Sequence, residues 1–399
     1  MTDNTDSLSD PLYDDSWNED ILTDLRPKNL NSLVVYSRDW TVDTIVSQIR
    51  QGHIDLNPKF QRRNAWKDDK RSRLIESLII GIPVPEIVLA EHPKQKKSFI
   101  IIDGKQRLLT VAGFISPDKV QYWKKPVLSS LTVRKDLNRL SYKDITANGM
   151  YADDARSFQN SDIRCTVISN YTSNDVLYDI FYRLNTGSVP LSTQELRQVL
   201  NKGDFADYLM SITNTPQPVH NVLRLNQPDP RLKDIEIIFR FIAFCLFGEN
   251  YRGNLKNFLD ESMRRITEDW DMYKDEVEEL YKKFNHSITT LERVMGATHI
   301  GRKFTGNKWE TSFNKVLFEV EVYYIMFLSK TEVIKNKQKL LADFKQFCSK
   351  NTDFRLSIEA GTNNLEPYQN RYRLFRDFIN RVFKTNIKDT AVSLQKVTK

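Results

Sequence analysis

The stretch IIIDGKQRLLTVAGF, residues 100–114, decides how the first half of the chain folds. The β-branched run Phe99–Ile102 predicts a buried strand, and Leu108–Phe114 predicts the beginning of a helix. Between them lies DGKQR, which places one carboxylate, one amide and two cations within five residues. A sharp turn from strand to helix directs several backbone N–H groups at one point. An anion is favoured at such a point.

The side chains of DGKQR suit a phosphate ligand. Lys105 and Arg107 supply positive charge, Gln106 can hold a water or a sugar, and Asp103 can bind a metal ion or orient the arginine. Taken alone, the pentapeptide fits an Asp-Gly turn whose charges face solvent better than it fits a ligand site. The functional interpretation therefore depends on what accompanies it.

The flanking sequence predicts a small sheet with helices around it. A helix capped by Asp68 or Asp69 is expected to end before Gly81 and Pro83, and Ser192 with Glu195 forms a capping box. The other elements predicted before residue 200 are a helix at Asp39–Ile49, strands at Glu86–Ala90 and Ile163–Ser169, and a helix at Asp175–Arg183.

Helical periodicity dominates from about residue 230 onward. The amphipathic segments are Asp234–Phe247, Leu255–Met295, Trp309–Leu328, Val333–Cys348 and Glu366–Phe383. We therefore predict three regions: a disordered acidic arm at residues 1–30, an α+β domain at 31–200 and an all-helical domain at 201–399.

The charge distribution favours phosphate-containing partners. The chain carries a net charge of +7, yet residues 1–25 contain eight carboxylates and no lysine or arginine, so the remainder is strongly basic. Such a surface attracts nucleic acids and nucleotides, although a solvated basic surface has the same composition. In the C-terminal run RYRLFRDFINRVFK, four cations lie loosely on one side of the predicted helix and could follow a DNA backbone or face solvent: Arg371, Arg376, Arg381 and Lys384.

Composition also excludes several protein classes. No apolar stretch approaches the ~20 residues of a membrane span, and the acidic N-terminus is unlike a signal or transit peptide. Cys165, Cys245 and Cys348 are odd in number and widely spaced, which excludes a disulfide framework. We expect a cytoplasmic protein whose cysteines serve in packing.

Two further segments resemble DGKQR, because each combines an arginine with an amide side chain next to a predicted helix. Pro58–Trp66 places Gln61 and Arg62 beside aromatic residues before a helix, and Phe181–Gly187 places Arg183 and Asn185 at a helix end. The three segments are predicted to meet in one electropositive pocket.

With GIPVP at residues 81–85, these segments resemble the N-terminal domain of the GmrSD-type restriction enzymes, in which DGQQR is the usual pentapeptide. The resemblance covers roughly residues 35–200. It implies a fold related to ParB and sulfiredoxin, a small mixed sheet with helices. This chain has Lys105 where the family usually has glutamine, a change that adds a positive charge but removes a hydrogen-bond acceptor.

The resemblance implies a nucleoside triphosphate site, with Mg²⁺ as a further candidate cofactor. The implied catalytic residues are Asp103, Gln106 and Arg107, and the implied nucleotide-binding residues are Gln61, Arg62, Gly104, Lys105, Arg183 and Asn185. Related proteins use NTP binding or hydrolysis to control the cleavage of modified phage DNA. The nuclease that cleaves DNA in the fused enzymes is of the HNH type, and we do not find its clustered His and Asn residues here.

Three interpretations of function remain open from the sequence. The first is a nucleotide-binding or NTP-hydrolysing component of a restriction or anti-phage defence system, with DNA and a separate nuclease or another defence subunit as partners. The second is a non-enzymatic DNA-binding subunit. The third is a ParB-like, metal-dependent nuclease with Asp103 as a ligand. A homo-oligomer is compatible with all three.

Overall fold

The computed structural model describes residues 33–56, 66–93, 95–120, 123, 125–171, 176–177, 180 and 192–388. The strands are β1 Val34–Thr41, β2 Ile87–Glu91, β3 Phe99–Asp103, β4 Asp162–Ser169, β5 Phe304–Thr305 and β6 Lys308–Trp309. The helices before residue 201 are α1 Val42–Arg50, α2 Asp68–Ile79, α3 Lys105–Ile115, α4 Tyr142–Ala147, α5 Ala152–Asn160 and α6 Thr193–Leu200. The later helices are α7 Asp204–Ile212, α8 Pro218–Val222, α9 Lys233–Phe247, α10 Leu255–Glu268, α11 Trp270–Met295, α12 Lys315–Ile325, α13 Lys330–Lys335, α14 Lys337–Lys350, α15 Thr352–Glu359 and α16 Leu365–Phe383.

Contacts between residues divide the described chain into two units, one ending at Leu200 and the other beginning at Asn201. We call them the N-terminal unit and the C-terminal unit. The acidic arm predicted at residues 1–30 lies outside the described residues. None of the helices in the described part of the chain combines the length and the apolar character that a bilayer crossing needs.

The sheet of the N-terminal unit has the order β1-β4-β2-β3. Strand β4 is antiparallel to β1 and parallel to β2, and β2 is antiparallel to β3. This mixed sheet with surrounding helices confirms the α+β class. The ParB/sulfiredoxin relationship stays a prediction.

Strand β1 was not predicted, and the helix expected from Asp39 begins later. Asp39–Thr41 belong to β1, and α1 begins at Val42 because the Thr41 hydroxyl accepts a hydrogen bond from the Thr44 N–H (3.2 Å). Most of β1 is exposed, so its sequence lacks the regular alternation of apolar and polar residues that marks a half-buried strand.

Both faces of the sheet carry apolar residues. On one face Ile87, Leu89 and Ile101 pack with the apolar sides of α1, α2 and α3. On the other face Ile100 and Ile102 pack with Leu196 and Val199 of α6, among others. Because alternate residues of β3 point to opposite faces, this strand is buried on both sides, which accounts for its continuous apolar run.

The predicted helix boundaries of this unit need correction at two positions, the N-cap of α2 and the start of α3. Lys67, not Asp68 or Asp69, occupies the N-cap of α2, and both aspartates lie in its first turn, where the helix dipole favours them. The helix expected from Leu108 begins at Lys105. The predicted capping box of α6 is confirmed: the Ser192 N–H donates to Glu195 Oε2 (2.6 Å), and the Glu195 N–H donates to Ser192 Oγ (3.1 Å).

The C-terminal unit is helical except for a short β-hairpin. The segment Leu255–Met295 is divided into two helices at Asp269. Trp309, predicted at the beginning of a helix, lies on β6, because Gly306 and Asn307 both adopt positive φ angles and form a tight hairpin turn. The prediction of an all-helical domain is therefore wrong at this hairpin.

The cysteines are free thiols, as the odd count indicated. Cys165 and Cys348 are buried, and burial raises the pKa of each thiol to about 12. Neither thiol therefore has the lowered pKa of a reactive cysteine.

The C-terminal unit also buries an isolated carboxyl group. Glu321 accepts a hydrogen bond from the Gly301 N–H (2.7 Å), and burial raises its pKa to about 8 despite that bond and the charge of Arg302. Arg302 is itself buried and donates to the carbonyl groups of Ile300 and Val222. Burial lowers the pKa of Arg302 to about 10. The two groups do not neutralise each other through a direct hydrogen bond within the described residues.

We expect Glu321→Gln to change how stability depends on pH. Between the ordinary carboxyl pKa of 4.5 and the folded value of about 8, the unfolded chain ionises while the folded protein keeps the proton. Stability therefore falls as pH rises through this window, by about 1.4 kcal/mol per pH unit for one proton. Thermal unfolding of the full chain between pH 5 and 9, a range of about four units, should show a shallower decline in the variant. Glu276→Gln, an exposed change on α11, is the control, and equal slopes in all three proteins would contradict the assignment.

Candidate functional site

The end of β3 is displaced by an irregularity in its pairing with β2. Leu89 pairs with Ile101, but the preceding residue, Val88, pairs with Asp103. Ile102 is therefore an extra residue in β3, as in a β-bulge, and the direction of the strand changes where Asp103 begins the turn. Bulges of this kind reorient side chains beside functional sites.

Gly104 makes the turn between β3 and α3. It adopts φ +93° and occupies the N-cap of α3. A Cβ atom at this position would lie 2.9 Å from Ile87 Cγ1 and 3.3 Å from Ile87 Cα. Glycine is required here both by its backbone conformation and by the close approach of β2.

The Arg107 side chain forms its hydrogen bonds with residues at the turn and immediately before β2. Its Nη2 donates to Asp103 Oδ2 and to the backbone carbonyl of Glu86, both at 2.8 Å. The side chain is almost fully buried, and its Nε has no hydrogen-bond partner among the described residues. Asp103 thus orients the arginine, one of the two roles that the sequence indicated for it. Arg107 joins the end of β3 to the residue that precedes β2.

The first turn of α3 holds the other residues of the pentapeptide. Gly104 has no side chain to cap the helix, and the N–H groups of residues 105–107 have no acceptor within the helix, since the first helical bond runs from Leu108 to Gly104. Lys105 is 9% exposed and Gln106 is half-buried. Asp103 is 24% exposed, and its Oδ1 accepts no hydrogen bond from the described residues. The turn can hold an anion beside a carboxylate oxygen that can bind a cation.

Of the two other predicted segments, Pro58–Trp66 and Phe181–Gly187, only Trp66 is among the described residues. Gln61, Arg62, Arg183 and Asn185 all lie outside the described residues. Trp66, at the end of the first segment, is described: its carbonyl accepts a hydrogen bond from Arg71 Nη2 (2.6 Å), and Lys70 lies over its ring. The meeting of the three segments in one pocket stays a prediction.

Some polar residues near these segments were not singled out from the sequence. Arg71, 4% exposed, also donates to Asp68 (2.6 Å) and so positions Trp66 relative to α2. On α6 a stripe of polar side chains is fully buried: Gln194, Arg197 and Gln198. The stripe is visible in the sequence at i, i+3 and i+4 spacing, but spacing alone does not distinguish a buried polar face from a solvent-exposed one.

The predicted DNA-contacting face of α16 needs correction. Arg371 is 1% exposed, donates to the Thr362 carbonyl (2.6 Å) and lies 3.9 Å from Glu319. It belongs to the core of the C-terminal unit and cannot follow a DNA backbone. Arg376 is partly buried and paired with Asp377 (2.8 Å), whereas Arg381 and Lys384 are exposed.

Metal-binding geometry is absent from the described part of the chain, where no three His, Cys, Asp or Glu side chains are grouped closely enough to hold an ion. His286 contacts the Leu328 carbonyl (3.3 Å), and His299 stacks on Trp309. These two histidines therefore have structural partners in the C-terminal unit.

The fold and the turn define an α+β domain whose buried strand leads through DGKQR into a helix. Residues 42–201 match the family model for the GmrSD restriction endonuclease, N-terminal domain. This part of the chain is therefore similar to the GmrSD N-terminal domain, and the resemblance inferred from the motifs is confirmed over this range. A comparison with curated proteins gives no match.

We expect Gly104→Ala to disturb the turn strongly. The added Cβ would be strained at φ +93° and would press on Ile87, so stability should fall by about 2 kcal/mol or more. Gly149→Ala in the same unit is the control, since nothing lies within 4 Å of the position of its Cβ. Chemical denaturation of both variants is the measurement, and a Gly104→Ala protein as stable as the control would contradict the geometry.

We expect Arg371→Ala and Arg381→Ala to behave differently. Removing Arg371 leaves part of a buried ion cluster unpaired and should cost about 3 kcal/mol. Removing Arg381, which is exposed, should change stability by no more than about 0.5 kcal/mol. Urea unfolding of each variant tests the contrast. Equal small losses of stability in both variants would contradict the burial of Arg371.

Proposed function

We propose that this protein is a nucleotide-binding component of a restriction or anti-phage defence system that acts on DNA. The observation that carries the proposal is the DGKQR turn, a glycine-started helix N-terminus with a lysine in its first turn, inside a GmrSD N-terminal domain. The description of that family as a restriction endonuclease supports the DNA-directed role.

The proposed ligand is the triphosphate of a nucleoside triphosphate. The N-terminus of α3 offers backbone donors and the positive end of the helix dipole, which together suit phosphate oxygens. Lys105 adds a full positive charge, and Gln106 can hold a water or the sugar. We place Gln61, Arg62, Arg183 and Asn185 at the same ligand, as the family resemblance implies.

The roles of Arg107 and Asp103 follow from their contacts. Arg107 is a positioning residue in this proposal, because its Nη2 is engaged by Asp103 and Glu86. Asp103 Oδ1 is the candidate ligand for a Mg²⁺ ion that accompanies the nucleotide. One carboxylate is sufficient, because Mg²⁺ in such sites usually binds one or two carboxylates together with the phosphates. The ion, when bound, would neutralise phosphate charge.

The metal-dependent nuclease centred on Asp103 is a weaker candidate. Such a site needs several protein ligands around the ion, and Asp103 is not part of a three-ligand group within the described residues. Its charge is also shared with Arg107 at 2.8 Å. Nicking of plasmid DNA in Mg²⁺ that disappears in Asp103→Asn would favour this candidate over a nucleotide site.

The decisive experiment compares Lys105→Met with Lys143→Met. Lys143 is exposed on α4 of the same unit, so both changes remove one lysine charge and keep a similar chain length. Equilibrium binding of each labelled NTP with Mg²⁺ should be weakened at least tenfold by Lys105→Met, which is about 1.4 kcal/mol, the lower range for a charged hydrogen bond. Lys143→Met should bind as the wild type does.

Phosphate release measured with and without DNA then separates an NTPase from a nucleotide binder. Arg107→Ala should lower both stability and binding, because Asp103 and the Glu86 carbonyl lose their partner. Wild-type protein that binds none of the four NTPs would end the proposal.

A further inference from the structure

The C-terminal unit carries a group of exposed cations drawn from two separate parts of the chain. We call it the lysine surface, and it consists of Lys335, Lys337, Lys339, Arg381 and Lys384. The first three lie at the junction of α13 and α14, and the other two at the end of α16. Only Arg381 and Lys384 were indicated by the sequence.

A direct hydrogen bond brings the two parts together. Lys339 Nζ donates to the backbone carbonyl of Val382 (2.7 Å), which lies between Arg381 and Lys384 in the sequence. Helices α14 and α16 also pack against each other. The beginning of α14 and the end of α16 therefore form one continuous surface.

The charges of this surface are not neutralised by neighbouring carboxylates. No carboxylate of the described residues forms an ion pair with any of the five cations, although other cations of the same unit are paired, such as Arg376 with Asp377 and Lys303 with Glu310. Residues 330–350 contain six lysines and only two carboxylates, Glu332 and Asp343. Like charges held together in this way repel one another until a polyanion binds.

The beginning of α14 adds to the positive potential. The helix dipole favours acidic residues in a first turn, yet this turn has none and contains Lys337 and Lys339 instead. The Asn336 side chain at the N-cap makes no capping hydrogen bond to the turn. These lysines oppose the stability of an isolated helix, and an external anion would remove that conflict.

One side of the surface is bounded by acidic residues. Arg381 lines a groove of about 580 Å³ together with Asp343 and Asp353. Lys350 also lines the groove, so the two carboxylates there offset its two cations. Lys335, Lys337 and Lys339 lie outside this groove lining, so a polyanion would lie across these three lysines rather than along the groove. The exposed apolar residue next to these lysines in sequence is Ile334, which is aliphatic and offers no ring for stacking a single-stranded base.

We propose that the lysine surface binds the phosphate backbone of duplex DNA. The choice of duplex DNA over other polyanions rests on the proposed function. The grouping of these exposed cations is independent of it, because it follows from the contacts between α14 and α16. Binding would be independent of base sequence and steeply dependent on salt, because each neutralised phosphate releases counterions. The lysine surface would thus hold DNA at the C-terminal unit while the DGKQR turn holds the nucleotide in the N-terminal unit.

The test uses the full chain and a labelled DNA duplex of about 20 base pairs, long enough to exceed the footprint of a single module. Lys335→Ala/Lys337→Ala is compared with Lys274→Ala/Lys283→Ala, which removes two exposed lysines from α11 of the same unit. Fluorescence anisotropy is followed as NaCl rises. The first pair should weaken binding by roughly tenfold and reduce the slope of log K against log salt by about 2, and the second pair should do neither.

Nucleotide binding measured on the same samples separates this proposal from the proposed function. Loss of duplex binding with unchanged NTP binding in Lys335→Ala/Lys337→Ala supports the lysine surface. Wild-type protein that binds NTP but no duplex overturns the lysine surface and leaves the nucleotide site standing. An equal loss in both double variants, or tighter binding of single-stranded DNA or polyglutamate than of duplex, also overturns it.

Discussion

The hydrogen bonds from Arg107 Nη2 to Asp103 and to the Glu86 carbonyl are the constraint on which the candidate site depends. They fix the end of β3 against the chain entering β2, and this closeness leaves room only for glycine at position 104. Because Gly104 is also the N-cap of α3, the same contacts set the direction in which the first turn of that helix faces. A buried guanidinium must have its charge balanced, so Asp103 serves the architecture of the turn before it serves any ligand.

The same requirement explains why cations could not be assigned to the surface from periodicity alone. In the C-terminal unit Arg240 and Glu319 pair within the core, Arg371 lies beside them, and Lys315 bonds to Glu236 (3.0 Å). A helix that buries an arginine opposite a carboxylate of another helix shows the same charge pattern as one that exposes it. The helical face expected to contact DNA contained both kinds of cation, and only the partners, distant in sequence, distinguish them.

Much of the N-terminal fold was nevertheless readable from local chemistry. The continuous apolar runs of β2 and β3, the mostly alternating pattern of β4, the stop at Gly81 and the capping box at Ser192 depend on residues close in sequence, and each was located to within a few residues. Strand β1 was missed because it is mostly exposed and its apolar residues do not alternate regularly. The sequence predicted that Asp103, four residues away, orients Arg107. It did not predict the second partner, the Glu86 carbonyl, because the pattern of side chains carries no information about a backbone group 21 residues away. The buried polar stripe on α6 was missed for the related reason that burial is set by tertiary packing.

The two anion sites proposed for this chain differ in their physical basis, and this difference has a functional consequence. At the DGKQR turn the proposed donors are backbone groups and the nearly buried Lys105, which are fixed by packing, so binding there would depend on geometry and would be only weakly screened by salt. On the lysine surface the donors are exposed ammonium and guanidinium groups, of which Lys339 is held by the Val382 carbonyl, so binding there would be nonspecific and strongly screened. A site of the first kind suits a ligand recognised as an individual molecule, such as a nucleotide, and one of the second kind suits a long polymer on which position matters little. A protein with both can be retained on DNA of any sequence while a separate, more selective binding event determines what happens there.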